Sequence, residues 1–327
     1  MKIPPDYKIS PEILELITKI DANRIFLSSL KIAPQLQENL QRKSLLQSSL
    51  FSAKIEGNPL TVKDIQSPGE TDKKKEVFNL LEAAHFLKRN LKPKDKITKK
   101  LFLDLHALVM KDLSLTGQMR QTPEAIYNQA GIAVYLAPPA SEIPLLLDKL
   151  LEYINSSKER FPLIKAFISH LIFEKIHPFV DASGRVGRLL ISAILKVNDY
   201  HFFGLAVPFE EYIEAHRSQY YHFLDIGLKE TQEYLIFMLQ AFYEQTEKLK
   251  KEIADLPEDM PLLLPRREEI YRIIKDHQLI SFDFLRRRFL KVPPRTLRYD
   301  LKKLVDSGLV TKLGETSGSY YRISNNY

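Results

Sequence analysis

The segment His177-Pro178-Phe179-Val180-Asp181-Ala182-Ser183-Gly184-Arg185-Val186-Gly187-Arg188 constrains this chain more than any other stretch. It holds a histidine, a carboxylate, a run of small residues and two arginines. Before it, Ile164, Phe167, Ile168, Leu171, Ile172 and Phe173 recur at helical spacing; after it, Leu189, Leu190, Ile191, Ile194 and Leu195 do the same. The segment therefore links two helices and feeds the N-terminus of the second near Gly184. Free N–H groups and the helix dipole make such an end an anion site. Arg185 and Arg188 lie one turn apart and can add bidentate contacts to phosphate oxygens. Asp181 can hold a hard cation such as Mg2+, which prefers few carboxylates plus phosphate oxygens. His177 enters the same loop and can take a proton from an attacking hydroxyl.

These twelve residues resemble the signature of the Fic family, His-x-Phe-x-Asp/Glu-Gly-Asn-Gly-Arg-x-x-Arg. His177, Phe179, Asp181, Gly184, Arg185 and Arg188 match it; Ala182 stands where the family has Gly, and Ser183 where it has Asn. An Ala at a positive-φ position costs about 1–2 kcal/mol. Ser keeps a hydroxyl but loses the amide. The resemblance covers roughly residues 1–255. It implies a mainly α-helical core that transfers AMP from ATP to a Ser, Thr or Tyr hydroxyl of a protein. His177 would then be the base and Asp181 the Mg2+ ligand. Ser183, Gly184, Arg185, Gly187 and Arg188 would face the phosphates.

Ser52-Ala53-Lys54-Ile55-Glu56-Gly57 resembles the same family's inhibitory motif, Ser/Thr-x-x-x-Glu-Gly/Asn. Ser52 and Glu56 share a helix face, and Gly57 is a natural C-cap. The resemblance implies that Glu56 pairs with Arg188 and blocks the γ-phosphate position. By itself the pattern is short enough to be a solvated glutamate ending a helix.

The 327 residues suffice for two or three domains. The absence of cysteine rules out disulfides and thiolate metal sites. No apolar run reaches the roughly 20 residues of a membrane span, and the first residues lack a signal-peptide core. A cytoplasmic address without membrane contact is the simplest expectation. The net charge of +7 is uneven: residues 261–327 hold 14 Lys+Arg against 7 Asp+Glu and account for all of it. An anionic partner is expected for that piece alone.

Along the chain, residues 11–50 read as helical, with Ser10-Pro11-Glu12 as a cap. Residues 61–75 read as a polar loop whose Lys73-Lys74-Lys75 is solvated surface. Residues 77–88 and 101–110 read as helices, with His85 and His106 structural. The pieces 126–127 and 132–135 read as a short hairpin. It resembles the family's flap, in which Ile132 and Val134 would dock a target segment by strand addition. A plain connecting hairpin is the alternative. Residues 212–228 read as one helix carrying Tyr220-Tyr221, which either wall a nucleotide pocket or pack in the core.

Prolines 257, 261 and 265 mark a linker. Beyond it, three short helices and a hairpin of 310–313 with 319–323 resemble a small winged-helix (α+β) domain. In its third helix Leu297, Leu301 and Leu304 face inward, while Arg295, Arg298 and Lys302 fall on the opposite side, where duplex DNA would be contacted. Docking of a protein is the alternative. The expected organisation is an N-terminal helical region, 1–95, a catalytic core, 96–256, and the winged helix, 257–327, with a homodimer left open.

Other functions remain open on the sequence. One is a DNA-binding regulator whose nucleotide-binding core is degenerate at Ala182 and Ser183. Another is removal of AMP, with Glu56 positioning water. A third is a metal hydrolase built on His170, His177 and Asp181.

Overall fold

The computed structural model describes residues 1–30, 34–114, 117–123, 125–127, 133–202, 204, 206–254, 263–314 and 319–324. The chain divides into two compact units, one of Met1–Lys31 and Leu40–Asp255, the other of Ile32–Asn39 and Leu256–Tyr327. In chain order the elements before the linker are α1 (Pro11–Ser29), α2 (Pro34–Ile55), α3 (Val62–Gln66), α4 (Asp72–Asn90) and α5 (Lys99–Val109). There follow β1 (Ala125–Tyr127), β2 (Ala133–Leu136), a 3-10 turn (Ala140–Glu142), α6 (Ile143–Asn155), α7 (Pro162–Ile176) and α8 (Ser183–Val197). The last three are α9 (Glu210–Ala215), α10 (Arg217–Ile226) and α11 (Thr231–Ala254).

The first unit is built around α7. Every residue from Leu163 to Ile176 is buried, as befits a helix that is apolar on all sides. It packs against α8, α6 and α11. Its two buried lysines are tied to neighbours: the Lys165 ammonium donates to Ser156 O at 2.9 Å and the Lys175 ammonium to Asp225 O at 3.0 Å. The anticipated caps form at α1, where the Ser10 hydroxyl accepts from Ile13 N, and after α2, where Gly57 takes φ +88°.

Two stretches differ from the sequence reading. Residues 61–75 are not one loop. Thr61 and Asp64 close a capping box on α3, and Thr71 caps α4 from Asp72 onward. Lys74 is buried rather than solvated, its ammonium donating to Ser67 O at 2.6 Å and Gly69 O at 3.0 Å. The helix expected over 212–228 is two, because His216 leaves helical geometry between α9 and α10.

The hairpin β1–β2 is antiparallel, pairing Ala125 with Leu136 and Tyr127 with Ala133, with a bulge at Ile126/Tyr127. Ile132 lies outside the described residues, and Val134 sits on β2.

The second unit holds α12 (Pro265–His277), β3 (Leu279–Ser281), α13 (Phe282–Arg288), α14 (Pro294–Asp306), β4 (Val310–Leu313) and β5 (Tyr320–Ile323). The expected hairpin β4–β5 gains a third strand, and the sheet order is β3-β5-β4. Leu297, Leu301 and Leu304 enter the core with Ile270, Ile274, Leu285 and Val310. Asp300 is buried on the same helix and is held by the Arg266 and Arg267 guanidiniums. Arg295, Arg298 and Lys302 are exposed. No helix among the described residues is long and apolar enough to cross a membrane.

Candidate active site

The site is the link between α7 and α8. Helix α7 ends when His177 turns left-handed (φ 46°, ψ 66°) while its N–H still reaches Phe173 O at 3.0 Å. Histidine is among the side chains that tolerate this region, and Pro178 prevents the helix from continuing. Phe179 is fully buried, stacked on His106 with ring centroids 4.0 Å apart. His106, structural as expected, accepts from Gly117 N at 2.9 Å. Burial lowers its pKa from the usual imidazole value.

Ala182 takes the second left-handed position, φ 66°, ψ 9°. The strain anticipated for Ala at this position is therefore present in the fold. Ser183 offsets it locally: its hydroxyl accepts from Phe179 N and donates to Phe179 O, both at 3.1 Å, so it clasps the loop. Helix α8 begins there, and Val186 N to Ala182 O at 2.9 Å closes its first turn. The N–H groups ahead of Val186 have no acceptor within the helix, and Gly184 puts no side chain of its own over them.

Asp181 and Arg185 form an ion pair of 2.6 Å, and Asp181 Oδ1 also accepts from Ala182 N at 2.6 Å. Burial pushes the Asp181 carboxyl up, but the Arg185 charge and these hydrogen bonds outweigh it and hold it below the usual carboxylate range. Its second oxygen, Oδ2, takes no hydrogen bond among the described residues. A single ionised carboxylate with one oxygen to spare, beside an anion-binding turn, fits Mg2+ shared with phosphate oxygens. No group of three or more His, Cys, Asp or Glu side chains that could hold a metal ion occurs among the described residues.

Arg188 is buried and faces Glu56 across the turn. Its Nη2 donates to Glu56 Oε1 at 2.8 Å and to Ser52 O at 2.9 Å, and its Nε to Ser52 Oγ at 3.0 Å. Burial alone would weaken the guanidinium; Glu56 first, then Tyr220 and Glu174, raise its pKa above the ordinary arginine range. The Glu56 carboxylate lies over the turn itself: a β-carbon on Gly184 would sit 2.5 Å from Glu56 Oε1 and 3.2 Å from Arg188 Nη1.

Behind the turn lies a buried polar layer that the sequence did not reveal. His170 Nε2 and Tyr220 OH are 2.9 Å apart, and the two rings stack. His170 thus belongs to the interior, not to a metal set with His177 and Asp181. Burial pushes Glu174 up to about 8 and His170 down to about 3. Tyr220 is core, while the Tyr221 hydroxyl donates to Ile55 O at 3.3 Å, next to Glu56. A β-carbon at Gly187 would overlap Glu174 Oε1 and lie 2.9 Å from His170 Nδ1. Gly187→Ala is expected to lower stability by about 1–3 kcal/mol, read as a loss of Tm. An unchanged Tm would show that this layer yields.

Arg120 lies near the start of the stretch, through Pro139, that resembles the family's flap region, but the sequence did not mark its supporting role. It is buried; its Nε donates to His177 O at 2.7 Å, its Nη2 to Pro138 O at 2.6 Å, and its N–H to Pro178 O at 2.9 Å. It therefore fixes the backbone of His177 and ties it to the end of the β2 connection. The Tyr135 hydroxyl adds a bond to Lys175 O at 3.0 Å.

Residues 96–195 match the Fic/DOC family. Proteins named Protein adenylyltransferase Fic are similar to the chain. That of Drosophila willistoni is 25% identical over 267 residues, covering 77% of this chain and 51% of its own length. That of Drosophila grimshawi is 26% identical, with 77% and 53% covered. The chain spans about half the length of these curated relatives. Among solved structures, a Fic family protein from Desulfovibrio desulfuricans G20 superimposes with a TM-score of 0.69 at 23% identity, covering 99% of each chain. Fic-1 (aa134–508) from C. elegans gives 0.63 at 19% identity, covering 74% of this chain and 73% of the other. These two show the fold.

Proposed function

We propose, on the premise that residues 96–195 form a Fic/DOC family domain, that the protein transfers AMP from ATP to a hydroxyl of a protein and that Glu56 restrains it. The observation that carries this reading is the first turn of α8: N–H groups without an acceptor in the helix, Arg185 and Arg188 beside them, and His177 at the end of α7. Such a turn accepts phosphates. Arg188 and the N–H groups would hold the β- and γ-phosphates in line with the α-phosphorus. Asp181 would hold Mg2+, which supplies charge neutralisation at the phosphates. His177 would take the hydroxyl proton as the oxygen bonds to the α-phosphorus and pyrophosphate leaves. Arg120 keeps the His177 backbone fixed, which matters because misplacement of about 1 Å can cost about 10²-fold.

Labelled ATP tests the reading. Incorporation of the adenylate label into protein, lost on removing Mg2+, supports it. Release of AMP from modified protein instead would assign the reverse chemistry, with Glu56 positioning water. No label transfer by Glu56→Gly under any metal condition would leave a nucleotide-sensing regulator.

A second role rests on the exposed Arg295, Arg298 and Lys302 over the leucine core of α14. Read as a winged helix, this unit would bind duplex DNA through them. Fluorescence titration of the full chain should give a binding constant that falls steeply with salt. Replacing all three by Ala should lower the log–log slope by about 0.9 per lost phosphate contact. No binding at micromolar protein and low salt would assign the face to protein docking.

A further inference from the structure

Helix α2 has a second role open to it. Leu45, Ser48, Ser49 and Ser52 follow one face of the helix and line a cavity of about 490 Å³, within the size range of small-molecule sites. The anion turn, His177 and Asp181 are not part of it. Leu80 and Leu87 of α4, Leu189 of α8 and Phe209 give it an apolar interior. Lys88, Lys196 and Asp199 also line it, but the buried acid among these walls is Glu210, only 3% exposed. Its Oε1 accepts from the Ser48 hydroxyl at 2.8 Å, while its Oε2 is buried without a hydrogen-bond partner among the described residues. A buried carboxylate oxygen left without a donor is costly and marks a place for one.

We propose that this cavity binds a small apolar molecule carrying a hydroxyl group, which donates to Glu210, and that its occupant favours the arrangement in which Glu56 sits on Arg188. The leucines and Phe209 select an apolar body. The oxygen without a partner selects a donor. Lys88 and Lys196 already line the cavity, so a neutral hydroxyl suits the site better than a further cation. Burial pushes Glu210 up to about 7, against the opposing pull of a backbone N–H, the Ser48 hydroxyl and the Arg188 charge. The coupling follows from Ser52: it lines the cavity and also holds Arg188 through its hydroxyl and its carbonyl. A molecule filling the cavity keeps α2 in place, and Glu56 is the next turn of the same chain. Ligands shift an equilibrium toward the state they bind better. The occupant is therefore a restraint on the transferase, and this regulatory half rests on the function proposed above.

The test uses 4-phenylbutan-1-ol and its methyl ether, which keeps the body but lacks the donor, on the full chain. Saturable binding of the alcohol by ligand-observed NMR is expected, about tenfold tighter than the ether. Two cavity-filling variants, Ala84→Phe on α4 and Ser192→Phe on α8, should each abolish it. Circular dichroism confirms their folding, and Ser192 is exposed, so that variant does not disturb the core. No saturable binding, or binding untouched by the folded fillers, overturns the site. Equal affinity for alcohol and ether overturns the donor to Glu210. For the coupling, the alcohol should weaken ATP binding to the wild type about fivefold and leave Glu56→Gly unaffected; an equal effect on both, or none on the wild type, overturns the restraint. Failure of Glu56→Gly to bind ATP at all would sink the transferase reading and the restraint together, while the alcohol titration alone still decides the cavity.

Discussion

Glu56→Gly is expected to raise label transfer by about 10²-fold. In the wild type Arg188 is committed: its Nη2 meets Glu56 Oε1 at 2.8 Å, and the carboxylate lies against Gly184 on the anion turn. On the function proposed, a triphosphate entering this turn would meet a negative charge where its γ-phosphate would lie. ATP would then bind weakly or with its α-phosphate out of line. Glycine removes the charge and leaves Arg188 on Ser52 alone. Without nucleotide the variant should be less stable by about 1–3 kcal/mol, because a buried guanidinium has lost a charged partner. ATP should then raise its Tm more than it raises that of the wild type, since a ligand stabilises the state it binds in proportion to its affinity. Arg188→Glu should not be rescued by Glu56→Gly, because on the proposed function the arginine would also serve the substrate. Equal transfer by wild type and Glu56→Gly would reject restraint by Glu56.

What could be read ahead of the structure was set by local spacing. Arg185 and Arg188 are separated by one helical turn, so their shared face follows from the sequence alone. The same holds for Leu297, Leu301 and Leu304, which all reach the core. The link from Glu56 to Arg188 spans the chain and came from the family resemblance, not from any local pattern. Features fixed only by tertiary contact stayed hidden. Arg120 braces a backbone carbonyl 57 residues away, and nothing around it in sequence marks that role. Glu210 lies 162 residues from the Ser48 that holds it. Strand β3 has three residues, too few to show alternation, and its Ser281 already caps α13. Lys74 looked like one cation in a solvated run, but its ammonium closes the turn of residues 67–69.

His177→Asn is expected to lower transfer by about 10²–10⁴-fold, the usual worth of a positioned base, while ATP binding persists. Alanine is the less informative replacement. Residue 177 sits at φ 46°, where an ordinary side chain costs about 1–2 kcal/mol, and a loss of activity in His177→Ala could come from a displaced loop. Asparagine tolerates this backbone, keeps a polar side chain and has no basic nitrogen, so it isolates the proton transfer. The loop is held independently of the imidazole: Arg120 binds His177 O, Phe179 stacks on His106, and the Ser183 hydroxyl clasps Phe179. The Tm of His177→Asn should therefore stay close to that of the wild type, and ATP should shift it equally. The decisive comparison is made in the unrestrained background, where the signal is largest. If Glu56→Gly/His177→Asn transfers label as fast as Glu56→Gly, the base is not His177. If the double variant binds ATP as Glu56→Gly does but falls by the expected factor, His177 acts on the proton and not on the nucleotide.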